Sequence, residues 1–347
     1  MQYFSPKFQL PQIHQWDFIF EREIARNTVV SASYLGSFGN SLPNFVDVNL
    51  NPPSATGTFT AVGGPFDGQK WTLPLFTGSR PVAGYGQITE IRSDVFSKYH
   101  ALVLQANRRL TNGLQFQSSY TLSRAYDNGQ TSATFTLGNA PFNAFDQANE
   151  NGLSAFDRRQ KFVASVVYNT NFKSGSSASR AILNGWTFAP IFNAFSGQRF
   201  TPTVSGTMSP GGAAVTGNGN NFGFAPGLTT PAGGVNGSGG STRFALLPRN
   251  SFKQPNIWYL DMRISRRFSL TESMKLELLA EGFNLFNRTQ VTGVSAGIYS
   301  ICTTGTAANP CPLLNFSSGP TGFNSVTGAD STLFRERQVQ LAARFQF

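Results

Sequence analysis

Gly293-Val294-Ser295-Ala296-Gly297 has the G-x-S-x-G spacing that, in serine hydrolases, lifts a nucleophilic hydroxyl onto a tight turn between a strand and a helix. Ile298-Tyr299-Ser300-Ile301-Cys302 follows it with no helical period, so the elbow geometry is not expected here. Asp157 beside Arg158 and Arg159 could form an acid/base couple, but at a strand end an ion pair on the rim of the fold is the simpler reading. His14 and His100 are the only histidines. Each lies at a strand start without a Cys or His neighbour in sequence, which does not suggest a metal site. No Gly-rich phosphate loop is present. No catalytic residue, metal ligand or cofactor is therefore expected, and an enzyme is the weakest class. Cys302 and Cys311 share one Gly/Thr/Asn/Pro-rich stretch. Bridged, they would close a short loop, stabilise it by roughly 2 to 3 kcal/mol and fit an oxidising compartment; two free thiols are the alternative.

With so little catalytic chemistry in view, the elements that would carry these residues become the question. Of 347 residues, 40% are hydrophobic and only 13% charged, while Phe occupies 33 positions and Gly 35. That is aromatic and polar but short of charge for a soluble surface. No run approaches the roughly 18 apolar residues a membrane helix needs; even Phe162 to Tyr168 breaks at Ser165. A membrane strand needs only about 9 to 11 alternating residues. The net charge of +10 could suit nucleic acid or anionic lipid. The arginine pairs Arg108-Arg109, Arg158-Arg159 and Arg266-Arg267 are scattered at strand ends, however, and no nucleic-acid-binding motif accompanies them. Met1-Gln2-Tyr3-Phe4-Ser5-Pro6-Lys7 contains no apolar signal segment.

A period of two recurs along the chain. Trp16, Phe18 and Phe20 alternate with Gln15, Asp17 and Glu21 in Gln12 to Glu23, and Thr28 to Gly36 returns after a short turn. Tyr99 to Arg109 alternates next. Leu110 to Gly113 supplies a hairpin turn, leading to Leu114, Phe116, Tyr120 and Leu122 on one parity. Lys161 to Tyr168, Gly185 to Ser196 and Asn256 to Phe268 continue the pattern. Met274 to Ala280 follows, with Glu281-Gly282-Phe283 blurring the parity as at a bulge. The last strand is Arg337 to Phe347, in which Val339, Leu341, Ala343, Phe345 and Phe347 oppose Gln338, Gln340, Arg344 and Gln346. Between Ser37 and Lys98 the reading is irregular, with Gln87 to Val95 as a hairpin extension. Gly197 to Pro255 is dense in Gly, Asn, Thr and Pro and cannot form a core by itself.

Nine principal strands emerge, and their connections alternate between short and long. An antiparallel up-and-down sheet produces this, because alternate connections then lie at the same end. Short turns at one end and long loops at the other describe an outer-membrane β-barrel, with the short turns periplasmic. The expected fold is thus all-β, an antiparallel up-and-down transmembrane β-barrel segment of about nine or ten strands. Apolar parities face lipid and polar parities the lumen. Arg22 and Arg266 share the apolar parity but sit beside turns, where they can snorkel. A soluble β-sandwich would explain the alternation but not the loop asymmetry or the sparse charge.

Four segments bear a family resemblance. They are Tyr120-Thr121-Leu122-Ser123-Arg124-Ala125-Tyr126-Asp127; Phe156-Asp157-Arg158-Arg159-Gln160-Lys161-Phe162; Gly185-Trp186 with Ser196-Gly197-Gln198-Arg199-Phe200-Thr201; and Ala280-Glu281-Gly282-Phe283-Asn284-Leu285-Phe286-Asn287. In this order they resemble successive landmarks of TonB-dependent outer-membrane receptors. The resemblance is to the Oar-like group, acidobacterial barrels with a carboxypeptidase-regulatory-like domain. It implies a barrel of about 22 strands with a plugged lumen, placed in the cell outer membrane. Nothing in the chain resembles the plug domain, the TonB-contacting box, the regulatory-like domain or a signal peptide. Residues 1–347 are therefore expected to be the C-terminal part of such a barrel.

The resemblance implies a receptor that binds and imports a large solute, in which the loops Ser37 to Lys98, Gly197 to Pro255 and Asn287 to Phe334 capture it. As a fragment, the chain would not transport alone. The other open reading is a structural or adhesive surface protein that binds a partner through the same loops. Implied partners are outer-membrane lipid and lipopolysaccharide, and the barrel-assembly machinery, for which Phe345 and Phe347 match the family's aromatic C-terminal signal. TonB would be reached only through the N-terminal parts. The terminal strand is expected to keep one unpaired edge, or to be forced into a smaller or incomplete barrel.

Overall fold

The computed structural model describes residues 1–49, 51–52, 55–75, 81–85, 88–129, 145–173, 175–205, 243–244, 247–301, 313–330 and 334–347. Its framework is one antiparallel meander of β1 (Gln12–Ala25), β2 (Thr28–Asp47), β3 (Thr89–Thr111), β4 (Leu114–Asp127), β5 (Gln160–Asn169), β6 (Trp186–Phe195), β7 (Ile257–Ser269), β8 (Lys275–Phe283) and β9 (Gln338–Gln346), hydrogen-bonded in chain order. The registers keep parity across the whole sheet. Phe20, Ala32, Leu104, Tyr120, Phe162, Ala194 and Trp258 form one cross-strand row on the apolar face. Glu21, Ser31, Gln105, Ser119, Val163, Asn193 and Tyr259 form its neighbour on the polar face. A slip of one residue in any pairing would mix the two faces, so the hydrophobic pattern itself specifies the register.

The short connections have local causes. Asn112 and Gly113 both take positive φ, 52° and 79°, the combination that a two-residue hairpin with matching twist requires. A Cβ on Gly113 would lie 2.3 Å from the Asn169 carbonyl oxygen. The β5–β6 connection carries a short helix of about two turns that the sequence pattern did not announce, α1 (Ser177–Leu183). Ser176 caps it, its Oγ accepting the Ser179 N–H at 3.2 Å.

Two expectations are corrected. The β8–β9 register runs without interruption from Lys275↔Gln346 to Phe283↔Gln338, so Glu281-Gly282-Phe283 is regular strand, not a bulge. The first part of the stretch from Ser37 to Lys98 is strand and not irregular, since β2 continues to Asp47; the extension expected over Gln87 to Val95 is present, since β3 begins at Thr89, and the two strands have 20 and 23 residues. About 9 to 11 residues suffice to cross a bilayer, so this hairpin projects well beyond the membrane. Register shifts between Gly39 and Asn44 mark where it bends.

Among the described residues β1 and β9 pair on one side only, as expected of the terminal strand. Because the path contains an odd number of antiparallel strands, both edges run from the long-loop end to the short-turn end. Direct pairing of β9 with β1 would be parallel, out of keeping with the antiparallel seams of the nine-strand meander.

Candidate functional site

The long connections all emerge at one end of the sheet and fold together there. A five-stranded sheet has the order Thr203–Ser205, Gly297–Ile301, Leu313–Phe316, Ala55–Val62, Lys70–Leu75. Its strands come from each of the three loops that the resemblance assigns to solute capture. No one of these loops could bury a core by itself; joined, they enclose Phe59, Ala61, Trp71, Val204, Phe244, Ile298, Tyr299 and Leu314. Trp71 meets Phe244 edge-on at 4.7 Å, and Phe244 stacks on Tyr299 at 5.4 Å. The Tyr299 hydroxyl donates to the Gly63 carbonyl at 2.9 Å and accepts from the Phe66 N–H at 3.3 Å, so a phenol buried from water is satisfied. Burial raises its pKa above the usual phenolic value, with the nearby Asp67 charge acting in the same direction.

Charges fasten this rim to the barrel. Arg243 grips Glu150 with both terminal nitrogens, at 3.0 and 3.1 Å, and both residues are buried. Burial pulls the Arg243 pKa down, and Glu150 opposes that pull. Arg249 donates to the Glu150 carbonyl oxygen at 2.7 Å and pairs with the Asp127 carboxylate. Asp157 does form an ion pair, but its partner is Arg199, at 3.1 Å, rather than Arg158 or Arg159. Its other oxygen accepts the Ala125 N–H at 3.0 Å. Arg158 instead donates to the Ser196 carbonyl and lies over the Phe195 ring, and Arg159 donates to the Ser123 carbonyl. Three of the four landmark segments are thereby tied to one another. Gly197 belongs to the same knot, since a Cβ there would lie 1.8 Å from the Gln254 carbonyl oxygen.

The fourth landmark forms the turn after β8. Asn284 has φ 47°; its backbone N–H donates to Asp261 Oδ1 at 2.9 Å, and its side-chain amide donates to the carbonyls of Arg288 and Arg335. Below this turn, on the polar face, Tyr259, Asp261, Phe283, Phe334 and Arg335 border a pocket of about 270 Å³. Further along the same face a charged ladder crosses three strands. Arg263 pairs with Glu281 at 2.6 Å, while Glu277 faces Arg267 at 3.8 Å and Arg344 at 4.0 Å. Such a wall suits a hydrated lumen.

The remaining residues singled out from sequence fall as follows. Ser295 lies between the strands Val291–Val294 and Gly297–Ile301, which is not the strand-then-helix setting of a nucleophile elbow. His14 and His100 sit on the apolar face in adjacent register rows, opposite Phe38 and Gly36. Among the described residues no three His, Cys, Asp or Glu side chains are grouped to hold a metal ion. Cys302 and Cys311 lie outside the described residues. Phe345 and Phe347 end the apolar parity of β9, both exposed. The rim ion pairs were not readable from sequence, because their partners come from different loops.

The chain aligns over 98% of its length with the outer membrane transporter YddB from Escherichia coli, at 11% identity and a TM-score of 0.48, covering 33% of that protein. It aligns over 97% with the ferripyoverdine receptor of Pseudomonas aeruginosa, at 10% identity and a TM-score of 0.46, covering 27%. The FrpB iron transporter from Neisseria meningitidis aligns over 100% of the chain, at 10% identity and a TM-score of 0.42, covering 33%. The chain thus spans about a third of the length of these structures. No curated protein sequence matches it. The sequence matches the family described as outer membrane beta barrel domain over residues 1–340, and the chain belongs to that family, whose place is the cell outer membrane.

Proposed function

We propose that this chain is barrel wall and ligand-capturing rim of a TonB-dependent receptor that binds a large solute at the cell surface and imports it. The observation that carries this reading is the shared sheet built from all three long loops over the open end of the barrel wall. A purely structural barrel has no need to commit that much buried aromatic surface to its loops, whereas a receptor needs a shaped, rigid mouth above a polar lumen. The four landmark segments support the same assignment, because their polar residues hold that mouth on the wall. The odd strand number fits a larger barrel as well. Antiparallel closure between β9 and β1 needs an odd number of additional strands, and these, together with a plug and the TonB contact, would lie N-terminal to this chain. In this reading Phe345 and Phe347 are the signal read by the barrel-assembly machinery.

The test is uptake by cells expressing the intact reading frame, with labelled ferric siderophores and oligosaccharides as probes, in backgrounds with and without TonB. Accumulation that needs both TonB and an unaltered rim is expected. Surface binding of a probe or partner with no TonB-dependent accumulation would instead establish the adhesive surface protein.

A further inference from the structure

We infer that Lys98, His100 and Arg124 form a binding site for the phosphate-bearing headgroup of a glycolipid in the outer leaflet. The inference rests on the outer-membrane barrel and not on solute import. Two adjacent register rows carry it. One contains Trp16, Gly36, His100 and Arg124; the next contains His14, Phe38, Lys98 and Tyr126. All these residues share the parity of Leu102, Leu104, Tyr120 and Leu122 and therefore face out of the barrel. Lys98, His100 and Arg124 are exposed, and neither Lys98 nor Arg124 has a carboxylate partner among the described residues. Cross-strand neighbours lie about 5 Å apart and diagonal ones about 7 to 8 Å, so one phosphate can reach all three groups.

The height of the cluster is fixed in two ways. Going down β3 on this parity from Lys98 and His100, Leu102, Leu104 and Ala106 intervene before the next cation, Arg108. From Lys98 to Arg108 the strand advances about 33 Å at ~3.3 Å per residue, or about 25 Å along the membrane normal at a tilt of ~40°, which is the height of a barrel's apolar band. Surroundings also change at this row. Below it the face is open, with Tyr34 43% and Leu104 43% exposed, whereas above it, past the register shifts, Phe45 and its cross-strand partner Ile91 are 8% and 4% exposed. Lys98 and its neighbours thus stand where apolar contact with lipid ends, at the long-loop end. Short turns are periplasmic, so this end faces outward.

The site is also preorganised. Trp16 lies across Gly36, where a Cβ would come within 2.0 Å of its indole, and its ring stands 6.2 Å from His100. His100 Nδ1 hydrogen-bonds the Tyr34 hydroxyl at 2.8 Å. Arg124 donates to the Tyr126 hydroxyl at 2.8 Å, and Lys98 Nζ sits 5.2 Å from the Phe96 ring centre and 5.8 Å from that of Phe38. Cations held on aromatic rings at the top of an acyl-binding face complement a headgroup that joins phosphate to sugar and chains.

The experiment measures binding of bisphosphorylated lipid A to the full chain in detergent micelles. Dephosphorylated lipid A, phosphatidylglycerol vesicles and inorganic phosphate serve as the other arms. Lipid A should bind in a salt-sensitive manner, and the Lys98→Ala/Arg124→Ala pair should weaken it by about tenfold or more. Lys98→Arg/Arg124→Lys should retain binding, which separates charge from folding, and Lys98→Gln and Arg124→Gln singly provide the reading if the double variant does not fold. Arg266→Ala, at the opposite interface, should change nothing. Equal binding by the double-alanine variant would overturn the site. Equal affinity for phosphatidylglycerol or for dephosphorylated lipid A would overturn the glycolipid phosphate as its ligand, and displacement by millimolar inorganic phosphate would reduce it to a simple anion site.

Discussion

Arg243 and Glu150 meet in a two-point ion pair at 3.0 and 3.1 Å, although 93 residues separate them in sequence. The pair joins the loop after β6, where Arg243 bridges to Thr203, to the loop after β4, where Glu150 ends a single 3-10 turn. Removing one partner of a buried pair leaves the other charged and unsolvated, which typically costs about 3 to 5 kcal/mol. Glu150→Ala should therefore release the rim without unfolding the barrel wall. Limited proteolysis from outside the cell should cut near Arg243–Asn250 in this variant and not in the parent. Glu150→Leu/Arg243→Leu, which removes both charges, should restore much of the resistance.

Tyr299 gives the rim a pH limit. Its folded-state pKa lies above the ordinary phenolic value because burial and Asp67 both disfavour the phenolate. For an acid whose pKa is raised on folding, the folded state holds the proton more tightly than the unfolded state. The stabilising contribution is full below pH ~10 and is lost as pH rises from there through the folded-state pKa. Trp71, 6.3 Å from Tyr299, should report this as a red-shifted emission above pH ~10. In Tyr299→Phe the shift should no longer track that titration.

Orientation of the sheet can be tested with neighbouring residues of one strand. Leu104 lies on the apolar parity of β3 and Gln105 on the polar parity. Arginine in place of Leu104 would sit near mid-bilayer on the lipid face, a penalty of roughly 2 to 4 kcal/mol. Arginine in place of Gln105 would enter the polar lumen at little cost. Leu104→Arg should lower the heat-modifiable, membrane-inserted fraction, and Gln105→Arg should leave it near the parent level. The reverse order would mean that the faces are exchanged.

The barrel strands were legible because alternation is written locally, and the parity of Phe18, Tyr34, Leu102 and Leu122 survives into one structural row. The rim was not. Thr203–Ser205, Gly297–Ile301 and Leu313–Phe316 are three to five residues long, too short to show a period, and each pairs with a strand from another long loop. Gly, Pro and Thr in those stretches read as turn chemistry when no partner is in view. Asp157 shows the same limit on a smaller scale: adjacency suggested Arg158 or Arg159, but side chains on successive residues of an extended chain diverge, and the partner came from the next loop as Arg199. The upper part of β3 was anticipated in the extension Gln87 to Val95, whereas that of β2 was missed, because Gly39, Asn40, Pro43 and Asn44 read as turn chemistry.

The last strand supplies a final test. β9 pairs with β8 in unbroken register to Gln346, with Phe345 opposite Leu276 and Phe347 one position beyond the strand. Phe345 and Phe347 share the apolar parity, so they end the strand with an aromatic pair on the lipid side at the short-turn interface, where aromatic girdles belong. If these rings are what the insertion machinery recognises, their loss should act on assembly more than on the stability of the inserted barrel. Phe347→Ala, and more strongly Phe345→Ala/Phe347→Ala, should reduce the yield of heat-modifiable protein in the outer-membrane fraction of expressing cells, while the molecules that do insert keep the parent's resistance to denaturant. Gln346→Ala, on the opposite parity, should insert normally. Undiminished insertion of the double variant would remove the signal role and leave the two rings as interfacial anchors.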